Sequence, residues 1–173
     1  MKNIWVISDH HWSQESILSF KDENGKLVRP EFGNVNEMDE YMIEKWNSVV
    51  KQGDKVYHLG DIYAGDPAKF LELRKKLNGK INLIIGNHDD IDFMVSSRAF
   101  NKVQFWRKLP EFGLLLSHLP QRLETLYHYH TSSYLKNIHG HIHQNKEYED
   151  YHVNVSVERV SYTPVNIEEL RTK

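Results

Sequence analysis

The chain has 173 residues, 39 % of them hydrophobic and 27 % charged, with a formal net charge of -2. That length suits one domain spanning residues 1–173, and the weak charge argues against a basic groove for long duplex nucleic acid. There is no cysteine, so disulfides and thiolate metal sites are excluded, and any bound metal must take histidine, carboxylate or amide ligands.

The first apolar run, "NIWVIS" (3–8), is short and rich in β-branched and aromatic residues, which predicts a buried strand. It is too short for a secretory signal. No stretch reaches the roughly 20 apolar residues of a membrane helix, so a cytoplasmic protein without membrane contact is expected. A polar excursion follows at 21–34, with a turn at Asn24-Gly25. "NEMDEYMIEKWNSVV" then steps Met38, Met42, Trp46 and Val49 at helical spacing, with Asn36 as its expected N-cap. "KVYHLG" (55–60) and "INLIIG" (81–86) predict two more buried parallel strands. Between them, "DPAKFLELRKKLNG" opens on Asp66-Pro67 and stops at Asn78-Gly79, as a helix should. The second half offers "KVQFWRKL", "FGLLLSH", "KNIHGH" and "YHVNVSV" as short strands with few helix-length connections, so a mixed sheet is expected. The whole reads as an α/β fold, a layered α/β/β/α sandwich.

Donor residues collect where these runs end, the place at which open α/β sheets build ligand sites. Asp9, His10 and His11 follow the first strand, His58 and Asp61 the second, and Asn87, His88, Asp89 and Asp90 the third; His118, His139, His141 and His143 come later. Taken singly, an Asp after a strand is usually a cap, and a buried His usually bonds a carbonyl. Five such clusters in a cysteine-free chain point jointly to metal binding. In an extended segment residues two apart share a face, so His141 with His143, and Asp9 with His11, should point the same way, leaving His10 packed or facing solvent.

Asp9-x-His11, Gly60-Asp61, Gly86-Asn87-His88-Asp89, Ser117-His118 and Gly140-His141-x-His143 resemble, in order, the five signature blocks of the calcineurin-like metallophosphoesterase superfamily. "EKWNSVVKQGDKVYHLGDI" and "NVSVERVSYTPVNIEEL" resemble its small phage and bacterial branch. The resemblance implies a metal site at the strand ends for two divalent ions, manganese first, with iron, zinc, cobalt or nickel as alternatives. One ion would take Asp9, His11 and His143, the other Asn87, His118 and His141, with Asp61 bridging. Two such ions lower the pKa of a water between them and clamp phosphate oxygens. His88 is then implied as the catalytic group at the leaving oxygen. Asp89 either positions its ring or caps the next helix.

The sequence departs from the branch at Gln14, where many members carry a further histidine, so a cationic phosphate contact is missing there. His10, Arg29 and Trp12 are the candidate replacements, with His10 and Arg29 counted as substrate contacts beside Asn87 and His88, although Arg29 also reads as a surface residue of the 21–34 excursion. His128 and His130 read as surface residues near the site mouth. The expected activity is hydrolysis of phosphate esters, with phosphodiesters of small nucleotides such as 2′,3′-cyclic nucleotides favoured. The alternatives are a phosphomonoesterase and a non-catalytic binding or scaffold module. Completeness of the donor set favours catalysis. The expected partner is a small phosphate ester or nucleotide.

Overall fold

The computed structural model describes residues 2–130 and 132–171. A first sheet is formed by β1 (Ile4–Ile7), β2 (Lys55–His58), β3 (Lys80–Ile84) and β4 (Lys102–Gln104), all parallel; the late strand β11 (Val165–Asn166) adds antiparallel to β1. Register brings the carboxyl ends of the central strands level. Ile7 pairs with His58, His58 with Leu83, and Ile84 with Gln104, so the loops after these strands leave from one rim.

The helices α1 (Val35–Val49), α2 (Pro67–Lys76) and α3 (Ile91–Ser96) cover the outer face of this sheet. Met38, Met42 and Trp46 of α1 and Phe70 of α2 pack with Ile7, Val56, Ile81 and Leu83, all with no exposed surface. Burying each such side chain contributes about 1.5–3 kcal/mol. The cap of α1 is Asn34, not Asn36. The Asn34 side chain accepts from Glu37 N at 2.9 Å, and the Glu37 carboxylate accepts from Gly33 N at 3.1 Å. This reciprocal pairing satisfies two backbone donors and fixes the helix start two residues early. Asp66 caps α2 as expected.

A second sheet lies against the other face, in the order β10 (His152–Asn154), β9 (Lys136–His139), β6 (Leu114–Ser117), β5 (Trp106–Leu109). Val6, Leu59 and Ile84 from the first sheet meet Leu114, Leu116 and Ile138 from the second, and Ile167 of the short α4 (Ile167–Leu170) closes the edge of this layer. The second sheet's outer face is covered thinly. A 3₁₀ turn (Leu123–Leu126) and the hairpin of β7 (Tyr127–His128) with β8 (Ser133–Tyr134) pack Leu126 and Leu135 on Leu115. The α/β/β/α layering is therefore present, its last layer reduced to one turn and a hairpin.

The run 102–109 is two strands, not one: β4 belongs to the first sheet and β5 to the second, with Phe105 at the crossing. A second crossing follows β10. Val155 N donates to His139 O at 2.8 Å, Ser8 N to Val155 O at 3.0 Å and Val157 N to Ser8 O at 3.1 Å, so residues 155–157 join β9 to β1. This stitch brings Asp9 from one sheet beside His141 from the other. Among the described residues no helix is long and apolar enough to cross a membrane.

Candidate metal centre

Two groups of donors meet at the rim. Asp9, His11 and His143 form one, and Asp61, His118 and His141 the other; within each, one ligand atom per residue lies within 4.8 Å of the rest. Asn87 completes the second, its Oδ1 standing 2.8 Å from His118 Nε2 and 2.9 Å from His141 Nδ1. Asp61 lies between the groups, with Oδ2 3.4 Å from His118 Nε2 and 3.7 Å from His11 Nε2. All seven expected donors converge, and the two neighbouring histidines of Gly140-His141-x-His143 go to different groups.

The reason is not the strand alternation expected from sequence. Asp9, His11, Asp61, His141 and His143 all have left-handed backbones, with φ of 62°, 52°, 51°, 70° and 49°. Each costs on the order of 1 kcal/mol or more and persists only where its surroundings impose it. Asp and His tolerate this region better than most residues. The imposition is visible at Asp9, whose carboxylate accepts from His141 N at 2.9 Å and from Ser156 Oγ at 3.0 Å. Close backbone approach adds to it: a Cβ on Gly140 would lie 2.1 Å from Asp9 Oδ2, and one on Gly86 2.1 Å from Asp61 Oδ1.

Most of the imidazoles are aimed by a partner on their other nitrogen. His118 Nδ1 donates to Leu59 O at 2.7 Å, His143 Nδ1 lies 3.0 Å from Glu158 Oε1, and His11 Nδ1 lies 2.7 Å from Gln14 Oε1. In each, Nε2 is left for the centre, which is how metal-binding histidines are oriented. Gln14 thus supplies an acceptor that sets the His11 ring. His11 Nε2 is buried and lacks a hydrogen-bond partner, an orphan that a cation would satisfy. Two carboxylates among imidazoles and one amide offset only half the charge of two divalent ions, leaving a positive site for a phosphate. The residues present fit a pair of divalent metals.

Electrostatics agree. Burial alone would raise the Asp61 carboxyl, but the hydrogen bond and charge of His118, then the His88 N–H, hold it well below the usual carboxylate range. Burial pulls the His118 imidazole down, yet the Asp61 hydrogen bond, the charges of Asp9 and Asp61 and the Leu59 carbonyl together outweigh it and lift it to about 9. The field that holds a proton there also attracts a cation.

Glu158, which the sequence reading did not single out, holds the centre from beneath. Its Oε1 accepts from Arg29 Nε at 2.8 Å and pairs with His143. Burial would raise its carboxyl; the Arg29 charge and His143 bring it down to about 2. The signal for it was a lone acid at the end of the alternating run "HVNVSVE". We expect Glu158→Gln to weaken metal binding in the His143 group about tenfold to a hundredfold, read by titration with chelator competition. Unchanged affinity would mean that His143 needs no anionic support.

Arg29 and His10 are corrected as substrate contacts. Arg29 is fully buried, neither on the open face nor on the protein surface; its guanidinium donates to Asp9 O at 2.6 Å and His10 O at 2.7 Å as well as to Glu158. It pins the backbone that carries Asp9 and His11. Arg29→Ala should therefore destabilise the fold by about 3–5 kcal/mol, because it strands a buried carboxylate. Urea unfolding measures this, and a loss under 1 kcal/mol (on the order of an exposed pair) would contradict the buried role. His10 is also fully buried, stacked 3.9 Å from Trp12, with Nδ1 2.8 Å from His58 Nε2. Burial and then the His58 charge push its imidazole well below 6.5, so it packs as a neutral ring. His58 is its partner and His139 bonds Gly140 O, so neither joins the centre.

Asp89 follows neither expectation. The cap of α3 is Asp90, which accepts from Phe93 N at 3.1 Å. Asp89 is buried and accepts from Gly86 N at 2.8 Å and from Asp61 N and Ile62 N at 3.0 Å, tying the loops after β2 and β3 together. Burial lifts its carboxyl to about 6 against those N–H bonds. Its hold on His88 runs through backbone, not through the ring. His88 and Asn87 are exposed; the His88 ring centroid lies 5.7 Å from that of His11, and His88 N donates to Asp61 Oδ1 at 2.9 Å.

Two clefts share lining residues with the centre. One, of about 820 Å³, runs along His141 and His143 past Phe20, Lys21, Lys146 and Tyr148. The other, of about 400 Å³, lies beside His118.

A two-sheet α/β sandwich that gathers imidazoles, carboxylates and one amide at its strand ends is the architecture of a metal-dependent phosphoesterase. The chain belongs to the calcineurin-like phosphoesterase superfamily, whose domain it matches over residues 1–159. It is 34 % identical to the uncharacterised protein MJ1445 of Methanocaldococcus jannaschii, covering 97 % of this chain and 89 % of that one. It is 30 % identical to the gene 66 protein of Mycobacterium phage L5 over 51 % of this chain and 41 % of the phage protein. The crystal structure of AQ665, a protein of unknown function from Aquifex aeolicus, superposes with a TM-score of 0.73 at 25 % identity, covering 98 % of both chains.

Proposed function

We propose that the protein hydrolyses phosphodiesters of small nucleotides, 2′,3′-cyclic nucleotides or short oligonucleotides among them. The observation that supports the diester preference is the pair of clefts at the donor set, one lined by His141 and His143 and the other bordered by His118. A linear diester has two substituents to place, and a monoester or a cyclic phosphate only one. In this reading Asp9, His11 and His143 would hold one divalent ion and Asn87, His118 and His141 the second, with Asp61 between the two groups; manganese is the first candidate. Bound there, the ions supply Lewis acidity toward phosphate oxygens and lower the pKa of a coordinated water.

The chain's own residues do the rest. Asp61 holds the donor groups at fixed spacing, and Asn87 adds a donor without adding charge. His88, exposed over the His11 side, donates a proton to the leaving oxygen. Asp89 is a positioning residue, holding the Gly86–His88 turn against Asp61. Lys21 and Lys146 in the larger cleft offer cationic contacts to the rest of the substrate.

The experiment is to strip the protein of metal, reload it with single divalent ions, and assay mono- and diesters including 2′,3′-cyclic nucleotides. The expected result is a kcat/KM for diesters well above that for the matched monoesters. The reverse order would make the protein a phosphomonoesterase, and no turnover with any ion would make it a binding module. The ligand assignment has its own check. Anomalous scattering at the metal edges should show His143→Ala emptying the same position as Asp9→Ala, and His141→Ala the same as His118→Ala. Both histidine variants emptying one position would overturn the division.

A further inference from the structure

We propose that the 400 Å³ pocket beside His118 is a nucleobase subsite in which Trp106 and Phe105 stack on the base of the substrate. The inference rests on the phosphodiesterase reading above and specifies its substrate class. Phe105 is 69 % exposed, Trp106 57 % and Leu119 46 %, an unusual concentration of large apolar side chains on the surface. Their position follows from the chain crossing between sheets. Gln104 O accepts from Ile85 N at 2.8 Å, two residues before Asn87, so Phe105 leaves from the rim that carries Asn87. Trp106 pairs with Ser117, one residue before His118. The two aromatics therefore lie where β4 and β5 pair with β3 and β6, the strands that lead to two donors of one group.

The chemistry of the lining selects among occupants. The Ser117 and Thr125 hydroxyls already bond Leu119 O and Arg122 O, but an acyl chain or a purely apolar side chain would press the Lys108 ammonium and the Gln121 amide, which share this pocket, against a nonpolar surface. A heterocycle with an apolar face and a polar edge meets both. Lys108 Nζ lies 6.0 Å from the Trp106 ring centroid, a contact that steadies the indole while leaving it exposed. Stacking tolerates any base, so the subsite selects for the presence of a base and not for its identity. The pocket shares one residue, His118, with the donor set. A base held there places its sugar and phosphate toward the donor set.

The test compares adenosine 2′,3′-cyclic phosphate with ribose 2′,3′-cyclic phosphate, which keeps the reacting ester and lacks the base. For Trp106→Ala, the rise in KM on the base-bearing substrate should exceed that on the abasic one by on the order of tenfold to a hundredfold. Trp106→Phe should recover most of the difference, and Phe105→Ala should show a smaller effect of the same kind. A second readout needs no turnover: adenosine should quench the intrinsic fluorescence of the wild type saturably, and not that of Trp106→Ala. Equal changes on both substrates, with quenching retained, would overturn the subsite. So would a dimer in sedimentation equilibrium that Trp106→Ala converts to monomer without changing the ratio, since the patch would then join copies of the chain. If the wild type cleaves only monoesters, the diester reading falls, and adenosine quenching still decides the subsite.

Discussion

Asp61→Asn should reduce turnover to below about one hundredth of wild type with every divalent ion, because one carboxylate oxygen serves both donor groups. Asp61 Oδ2 stands within 3.4 Å of His118 Nε2 and 3.7 Å of His11 Nε2, and an amide placed there keeps the shape and loses the charge. The substitution is close to a pure electrostatic change. Asp61 Oδ1 accepts from His88 N at 2.9 Å, a bond that asparagine can also make, so the loop should keep its course. Metal analysis should show both positions weakened together, where loss of a histidine weakens one. A variant retaining more than about a tenth of wild-type turnover would refute the shared role, since a lost bridging charge costs several kcal/mol of stabilisation.

His88→Ala should separate proton donation from metal binding. The His88 backbone N–H, not its ring, is what Asp61 uses, so alanine keeps that contact while removing the imidazole from the open face. Both metals and the fold should remain. Turnover should fall on the order of 10²-fold to 10⁴-fold on diesters with poor leaving groups, such as nucleoside 2′,3′-cyclic phosphates or dinucleotides. Bis-p-nitrophenyl phosphate should suffer much less, because nitrophenolate departs without a proton. The decisive quantity is the ratio of the two losses, with metal content measured on the same sample. Equal losses at full occupancy would assign His88 to stabilising phosphate charge, and loss of metal would make it a ligand or its support.

Residues whose role depends on local chemistry were legible before the fold. The Asp66-Pro67 helix start, the three parallel strands and the donor blocks all rest on residue types at short spacing, and the structure places them as read. Errors arose where two local solutions compete. Asn36 and Asn34 can both cap; Glu37 bonding back to Gly33 decides for Asn34. Asp89 and Asp90 can both cap α3, and three backbone N–H groups from other loops draw Asp89 away.

By itself, the sequence determined which atoms could serve a metal centre: with no cysteine, only imidazoles, carboxylates and an amide were open to it, and they stood at strand ends. Only the tertiary structure decided how they are held. Asp9 and His141 are 132 residues apart and meet because residues 155–157 stitch β1 to β9. Arg29 looked like a surface cation of a polar loop, yet it is buried under the centre, since two backbone carbonyls and Glu158 compensate its charge there. Phe105 and Trp106 looked like the middle of one strand and became the wall of a pocket when the chain crossed between sheets. Hydrophobic pattern and turn chemistry act over a few residues; which sheet edge a strand joins depends on partners that no local window contains.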